Sequence, residues 1–481
     1  MHRENEGVLQ LRERERAKLW QRLIERLEQY FRELPEIPVA QPPNVAALRA
    51  LLSSFDFARP GDALEAVEFV IEELRRTQVH TPHPRYFGLF NPAPTSMGIA
   101  ADAIVAALNP QLAAWSHNPL ASEIERHLVQ TFGQRFGWQA PDIDGVFCTA
   151  GAEANHTAVL TSLCHAFPEF RTSGLRGLPS QPVLYISCEG HHSILKAARL
   201  CGLGTAAVHE VDVDSLLRLD VRSLEAKISE DRARGFAPFL VVATAGTTSA
   251  GVIDPLDRIA AVASREGLWL HADAAWGGAA VIVPELRDVL AGIERADSIT
   301  FDAHKWLSVP MGAGIYLTRH PEILTQTFST ATGYMPGGHL GTVDPYAHSI
   351  QWSRRFTGLK VFLSLAVAGW PGYEAVLRRQ VQMGKLLGQK LQTAGWEIIN
   401  QTRLPLLCFV DGRSKEGRSL EYLEGIADRV VRSGKAWISV CRLAGGLSAL
   451  RACITSYRTT ADDLDALVDA LEAARQSSIA S

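Results

Sequence analysis

Two short stretches of the sequence place an ionisable residue directly after an apolar run. Residues 298–301 predict a strand that leads into a polar turn holding Lys305, and His304 and Trp306 flank this lysine. One interpretation is an ordinary surface lysine, since lysines are seldom buried. The other is an amine held at the end of a strand, where it can form a Schiff base with a carbonyl cofactor.

The second stretch favours the cofactor interpretation. Residues 267–278 predict another apolar strand, which ends at Asp273 among small residues such as Ala275. A pyridoxal phosphate site needs a lysine that holds the cofactor and a carboxylate that keeps the pyridine nitrogen protonated, so that the ring can withdraw electrons. Because open α/β sheets bind ligands at the carboxyl ends of their strands, we expect Asp273 and Lys305 to face one crevice.

Taken together, His-Ala-Asp-Ala-Ala-Trp (271–276) and Asp-Ala-His-Lys-Trp (302–306) resemble the group II pyridoxal-phosphate-dependent amino-acid decarboxylases. This family includes the aromatic-amino-acid, histidine and glutamate decarboxylases, and His-Lys-Trp looks more like the aromatic branch. The resemblance covers about residues 82–457. It implies the α/β fold of type I pyridoxal-phosphate enzymes, which is aspartate-aminotransferase-like, with a large, mostly parallel sheet domain and a small C-terminal α/β domain.

A helix start is the candidate phosphate site. A strand predicted at residues 145–149 is followed by a helix that opens with Gly151 and Ala152. A helix start suits a phosphate because its N–H groups are unpaired, although small residues also open ordinary helices. The resembling family usually has a serine where this chain has Ala152, so one hydroxyl contact is lost while the backbone contact remains.

The resemblance implies four further cofactor contacts. His191 covers the outer face of the ring and Ala275 covers the other face. Thr244 lies beside the cofactor, and His304 helps to seat its phosphate. Without the resemblance, a histidine such as His191 at a strand-to-helix turn is most often a capping or surface residue.

Aromatic residues mark the candidate substrate pocket. The loop at residues 83–92 is dense in aromatic side chains and is either a packed connector or part of a binding site. In the resembling family this region lines the substrate pocket, so Leu89 and Phe90 are candidate substrate contacts, and Trp115 has the same status. Leu89 stands where aromatic-amino-acid decarboxylases tend to have a bulkier ring, so we expect the pocket to differ from theirs.

A candidate proton donor lies in a predicted loop. Residues 325–344 are rich in Gly, Thr and Ser without a clear period, which predicts a loop. Tyr334 lies in it, next to Gly333 and close to further glycines that allow large backbone movements. In the family a mobile loop closes over the substrate and carries a tyrosine that protonates the reacting carbon, and Tyr334 matches that position. The alternative is a tyrosine that only packs the closed loop.

Composition, charge and cysteine usage exclude several classes of protein. The net charge is −4 and the pI about 6.4, which predicts neither a nucleic-acid nor an acidic-membrane partner. No apolar run reaches the ~18 residues that span a bilayer, and the first residues lack the pattern of a signal peptide. The seven cysteines include no Cys-x-x-Cys pair, so we expect no metal site, reduced thiols and a cytoplasmic location. Cys148 and Cys188 are interpreted as small buried hydrophobes.

Three parts are predicted along the chain: an N-terminal helical segment at 1–81, the large cofactor-binding domain at 82–374 and the small C-terminal domain at 375–481. Residues 11–34 predict a helix with one apolar face, and a single helix cannot bury such a face by itself. It must pack on the body of the protein or on a partner subunit. The resemblance implies the second, a homodimer with active sites at the subunit interface.

The remaining pattern alternates strands and helices. Further strands are predicted at residues 183–187, 239–243, 314–318, 396–399, 405–410, 436–440 and 449–456, and further helices at residues 60–76 and 358–392.

The function implied is decarboxylation of a small-molecule L-amino acid to its amine and carbon dioxide, with pyridoxal 5'-phosphate as cofactor and an aromatic or bulky apolar amino acid favoured. Two alternatives within the family stay open, oxidative deamination to an aldehyde and action on glutamate or another amino acid. A third, of another class, is a non-catalytic cofactor-binding relative. Such a chain would be expected to lack Lys305 or Asp273, and both are present.

Overall fold

The computed structural model describes residues 9–90, 92–330, 332–335 and 341–479. Within these ranges, the α-helices are α1 (Glu13–Glu33), α2 (Val45–Leu52), α3 (Ala63–Thr77), α4 (Ser96–Leu108), α5 (Pro119–Arg135), α6 (Gly151–Ala166), α7 (Phe170–Ser173), α8 (Ser193–Leu200), α9 (Val221–Ala233), α10 (Leu256–Glu266), α11 (Ile323–Phe328), α12 (Gly358–Thr393), α13 (Leu420–Arg432) and α14 (Ala461–Ile479). The strands are β1 (Gln111–Leu112), β2 (Asp144–Cys148), β3 (Pro182–Ser187), β4 (Val208–Val211), β5 (Ala237–Thr244), β6 (Trp269–Asp273), β7 (Ser298–Asp302), β8 (Gly314–Thr318), β9 (Arg354–Arg355), β10 (Trp396–Ile398), β11 (Leu406–Asp411), β12 (Ser439–Leu443) and β13 (Leu447–Cys453).

The larger sheet has its strands in the order β2-β8-β7-β6-β5-β3-β4. The five strands from β7 to β4 run parallel to their neighbours, whereas β8 pairs antiparallel with both β7 and β2. Every residue of β6, β7 and β8 is buried. A sheet covered by helices on both faces favours strands with apolar residues on both faces, and the polar residues buried in β6 and β7 need partners within the protein. The predicted α/β fold with a mostly parallel sheet is confirmed.

Strands β5 and β6 of this sheet end at the same level, and the neighbouring β7 extends two residues further to Asp302. Thr244, the last residue of β5, is the register partner of Asp273, the last residue of β6, and Asp273 in turn is the register partner of Thr300 in β7. The carboxyl ends of these strands therefore open onto one edge, and the turn after β7 brings Lys305 to the same edge.

The second sheet is antiparallel and has the order β10-β11-β13-β12. The long helix α12 contacts helices α4 and α5 and also strand β10 of the second sheet. It was predicted as one helix but is broken at Gly369, whose φ of 61° lies in the left-handed region that favours glycine. Pro371 follows the break, where it cannot donate to the preceding turn.

The N-terminal helices stand apart from the core of the chain. Helix α1 confirms the helix predicted at 11–34, while α2 was not predicted. None of the residues of α1, α2 and α3 is buried. Charged pairs join α1 to α3, among them Arg26 and Glu72 at 2.7 Å. Trp20 and Ile24 on α1 remain 52% and 60% exposed, so part of this apolar face is left uncovered by the described residues.

Two sequence interpretations need correction. The loop predicted at 325–344 begins with the helix Ile323–Phe328, and residues 331 and 336–340 of the predicted loop lie outside the described residues. Cys148 is buried as expected, but Cys188 is exposed, because it follows the end of β3 in the turn that leads to α8. All seven cysteines are free. Over the described ranges, the helices include none with the length and apolar character needed to cross a bilayer.

A buried ion pair fastens the last helix to the second sheet, which generates a stability prediction. The Arg475 side chain on α14 donates to Asp411 Oδ2 at 3.0 Å, and Asp411 is 2% exposed. Arg475→Met leaves a buried carboxylate without its cation, so we expect local opening of α14, measured by native-state hydrogen exchange, to become easier by about 3 kcal/mol. Arg432→Met is the control, since its pair with Asp428 is exposed and should change opening by less than about 1 kcal/mol. Equal effects of the two substitutions would contradict this prediction.

Candidate active site

Lys305 lies in the tight turn after β7, beside one acidic and one aromatic residue. Its Nζ is 3.0 Å from Asp302 Oδ2 and 5.9 Å from the centre of the Phe90 ring. The side chain is only 21% exposed, so this is not the free surface lysine of the alternative interpretation. Asp302, at the end of β7, is 2% exposed, and its Oδ1 is among the buried polar atoms that have no hydrogen-bond partner in the described part of the chain.

Asp273 is held at the end of β6 by two donors. Asn155 Nδ2 donates to its Oδ2 at 2.8 Å, and the Ala275 amide donates to its Oδ1 at 3.2 Å. Asp273 is 5% exposed. Hydrogen bonds from neutral donors stabilise a carboxylate in its ionised form, and they leave its negative charge without a cation among these contacts.

The start of α6 lies next to Asp302. A Cβ on Gly151 would come within 2.7 Å of Asp302 Oδ2, so glycine is needed for this close approach. The residue before the helix is Ala150, which has no polar side chain to cap the first N–H groups. The end of this helix near Gly151 and Ala152 is therefore a positive dipole end without a side-chain acceptor of its own.

His191 lies in the turn between β3 and α8. The Ser193 hydroxyl and Ser193 amide both contact its Nδ1, at 2.8 Å and 3.2 Å. Burial of the ring lowers the pKa of His191, the charge of Asp273 opposes this shift, and the charge of Lys305 adds to it. The imidazole is thus neutral near pH 7 and lies within the field of both charged residues.

His304 and Thr244 are two further buried residues of this site. The Ala313 amide donates to His304 Nδ1 at 3.2 Å, and burial lowers the pKa of this histidine. Thr244 is 3% exposed, and its hydroxyl is another buried polar atom without a partner among the described residues. The structure therefore brings together the cofactor residues that the sequence predicted, on the ends of β3, β5, β6 and β7 and the start of α6.

Arg451, which was not predicted from the sequence, lies beside Phe90 at this site. Phe90 stacks on Trp276 with ring centres 4.4 Å apart, and the Arg451 guanidinium lies 4.9 Å from the Phe90 ring centre. Arg451 is 2% exposed and donates through Nη1 to the Gly88 carbonyl, while its Nη2 is buried without a hydrogen-bond partner in the described residues. An arginine in the middle of the apolar strand β13 was the available signal, since charged residues are almost never fully buried without a partner.

The other predicted substrate residues do not join this cluster in one chain. Leu89 is 51% exposed at the surface beside Phe90. Trp115 lines a different cavity of about 100 Å³, and its indole donates to Glu123 at 3.0 Å. Tyr334 is 75% exposed, with its ring centre 6.0 Å from that of Trp352.

These features fit pyridoxal phosphate. Asp273 accepts hydrogen bonds only from neutral donors among these contacts, and a protonated ring nitrogen would supply a positive charge beside it. The uncapped start of α6 offers N–H groups to a phosphate. The Thr244 hydroxyl has no hydrogen-bond partner among the described residues, so it is available to bond to the cofactor.

Comparisons with known proteins identify the family of this chain. Residues 52–411 match the model of the pyridoxal-dependent decarboxylase conserved domain. An acidic amino acid decarboxylase of Mus musculus is 28% identical over 447 residues, which covers 90% of this chain and 80% of that protein. An aromatic-L-amino-acid decarboxylase of Bacillus atrophaeus is 28% identical over 470 residues, which covers 95% and 94%.

The fold is shared as well. The crystal structure of mouse CSAD superposes with a TM-score of 0.88 at 26% identity, and the match covers 95% of this chain and 98% of that chain. The predicted type I fold is thereby confirmed. Since the family model spans most of the sequence, the chain belongs to the pyridoxal-dependent decarboxylases and is an amino-acid carboxy-lyase that uses pyridoxal 5'-phosphate.

Proposed function

We propose that this enzyme removes the α-carboxylate of an aromatic or bulky apolar L-amino acid and releases the amine. The observation that carries the proposal is the placement of Asp273 and Lys305 at the ends of adjacent parallel strands, below a mouth lined by Phe90 and Arg451. The bound cofactor holds the amino group of the substrate and accepts the electron pair of the bond that breaks.

Lys305 is the amine proposed to hold the cofactor, and Asp273 the carboxylate proposed to face the ring nitrogen. The ion pair with Asp302 at 3.0 Å orients Lys305 toward the crevice. Asp273 accepts hydrogen bonds on both oxygens, and a carboxylate that faces a ring nitrogen retains a proton on that nitrogen.

The surrounding residues are proposed to fix the cofactor's position. Gly151 and Ala152 present backbone amides to the phosphate, with His304 beside them. His191 covers one face of the ring and Ala275 the other. Both faces are then closed to water, and the neutral state of His191 avoids repulsion with a protonated ring.

Arg451 is proposed to bind the α-carboxylate of the substrate. Its unpartnered Nη2 is buried, and an unpaired buried donor is costly unless a ligand supplies the acceptor. Phe90, stacked on Trp276, then offers an aromatic surface to the substrate side chain, with Leu89 at its rim. This apolar surface supports an aromatic or bulky apolar substrate.

Carbon dioxide release from a panel of L-amino acids tests the proposed function. We expect release from Trp, Tyr, Phe or Leu, with the matching amine as product. Release from Asp and Glu alone would contradict the substrate class, and a cofactor-loaded enzyme inactive on the whole panel would contradict the reaction. Asp273→Asn is the matched variant: a neutral amide cannot hold the ring proton, so the rate should fall roughly 100-fold, about 2.7 kcal/mol of barrier.

Tyr334 is proposed to return a proton from its Oη to the substrate α-carbon once the loop has closed. Its 75% exposure and its neighbour Gly333 support a residue that can move. Tyr334→Phe should retain cofactor binding but lower the yield of amine, while aldehyde, ammonia and peroxide rise as oxygen intercepts the unprotonated carbon. Product analysis under air measures this. Tyr346→Phe, which removes a hydroxyl beside the same Trp352, is the control. Unchanged amine yield at unchanged rate would mean that Tyr334 only packs the loop.

The enzyme is further proposed to be a homodimer in which the N-terminal helices of one copy cover the other. The exposed Trp20 and Ile24 on the apolar face of α1 support this proposal. Trp20→Glu combined with Ile24→Glu should yield monomers in sedimentation analysis, because acids would be forced into the interface. Lys18→Glu, an exposed change on the same helix, should leave the dimer intact. A stable dimer of the double variant would contradict this arrangement.

We also propose a cytoplasmic location. The support is chemical: all seven cysteines are free, and Cys408 and Cys441 lie with their sulfur atoms 3.8 Å apart without a bond. Such thiols persist in a reducing compartment.

A further inference from the structure

We propose that Asn155 is a positioning residue that holds Asp273 in the orientation required by the cofactor ring. Asn155 lies in the second turn of α6, is 1% exposed, and uses every polar atom of its amide. One N–H donates to Asp273 Oδ2 at 2.8 Å and the other to Ser193 Oγ at 2.8 Å, while Oδ1 faces His271 Nε2 at 3.1 Å. Neither the family resemblance nor the sequence pattern singled out this residue.

The far end of this hydrogen-bond relay is Trp269. Its indole N–H can only donate, and it donates to Ser298 Oγ at 2.8 Å. Ser298 Oγ lies 2.8 Å from His271 Nδ1, and His271 Nε2 lies 3.1 Å from Asn155 Oδ1 and 3.2 Å from Thr300 Oγ1.

The chemistry at Asp273 sets the direction. If the Asn155 amide were flipped, its oxygen would face the Asp273 carboxylate, and that contact would be repulsive. In the unflipped orientation Asn155 Oδ1 can only accept, so we infer that His271 carries its hydrogen on Nε2. Burial lowers the pKa of His271 to about 4, so the ring is neutral near pH 7 and the relay from Trp269 to Asp273 carries no cation.

A branch of the relay reaches the residue proposed to cover the ring. Ser193 Oγ accepts from Asn155, so its hydroxyl hydrogen is free to point to His191 Nδ1 at 2.8 Å. The same amide thus orients both Asp273 and His191. One side chain on α6 therefore links the group proposed to face the ring nitrogen with the group proposed to face the ring plane.

Cofactor binding to the apo-protein tests this inference, which rests on the proposed pairing of Asp273 with the ring nitrogen. Asn155→Ala should raise the dissociation constant for pyridoxal 5'-phosphate roughly 10- to 100-fold, the range for losing one hydrogen bond to a charged group. Thr161→Val is the matched control. Thr161 is fully buried in the same helix and bonds to Tyr316 OH at 2.8 Å, so its loss should change binding by less than about twofold.

A cofactor analogue with C–H in place of the ring nitrogen separates positioning from packing. Because Asn155 acts through Asp273 on the nitrogen, Asn155→Ala should weaken binding of this analogue by less than about threefold. Equal weakening of cofactor and analogue would overturn the inference, since it would reflect general damage to the fold. If the unaltered protein bound both equally, the proposed pairing of Asp273 would itself fail, and the inference with it.

The direction of the relay has a test that involves neither cofactor nor activity. Nitrogen-15 NMR of the histidine rings in the apo-protein should show His271 neutral with its hydrogen on Nε2. A hydrogen on Nδ1 would overturn the relay.

Discussion

The site depends on two carboxylates buried at the end of a parallel sheet. Asp302 pairs with Lys305, whereas Asp273 accepts hydrogen bonds only from neutral donors among these contacts, so no cation contacts its negative charge there. Such a charge is costly in a buried place unless a cation arrives to balance it. A protonated pyridine ring meets that requirement. The electrostatics that make the empty arrangement costly are therefore the same ones that would hold the cofactor and keep its ring an electron acceptor.

Helix α6 connects the separate parts of this arrangement. Its first turn approaches Asp302 so closely that only glycine fits at position 151. One turn later, Asn155 reaches Asp273 and, through Ser193, His191. The second sheet contributes Arg451, whose guanidinium bonds to the Gly88 carbonyl and so ties the mouth of the site to the small sheet. Charge, cofactor orientation and substrate access are thereby set by different elements that meet at one edge.

The placement of residues that follow strands could be predicted from the sequence, because a buried parallel strand leaves a recognisable apolar pattern and its end marks the binding edge. Asp273, Lys305 and the start of α6 were predicted in this way, and the structure places them at that edge. Asn155 and Arg451 were not predicted. Asn155 contacts a residue 118 positions away and Arg451 one 363 positions away, and a local sequence pattern gives no information on such contacts. The short helices α2 and α11 were not predicted either, because each has too few turns for a helical periodicity to be distinguished from a loop.

The central claim is that Lys305, held at the end of β7, carries the cofactor. Borohydride reduction of the cofactor-loaded enzyme, followed by peptide mapping, tests it most directly. The account predicts that the pyridoxyl group is found on the peptide containing Lys305 and that Lys305→Ala yields no labelled peptide. Label on another of the chain's lysines, or an equal yield of labelled protein from the variant, would contradict the account.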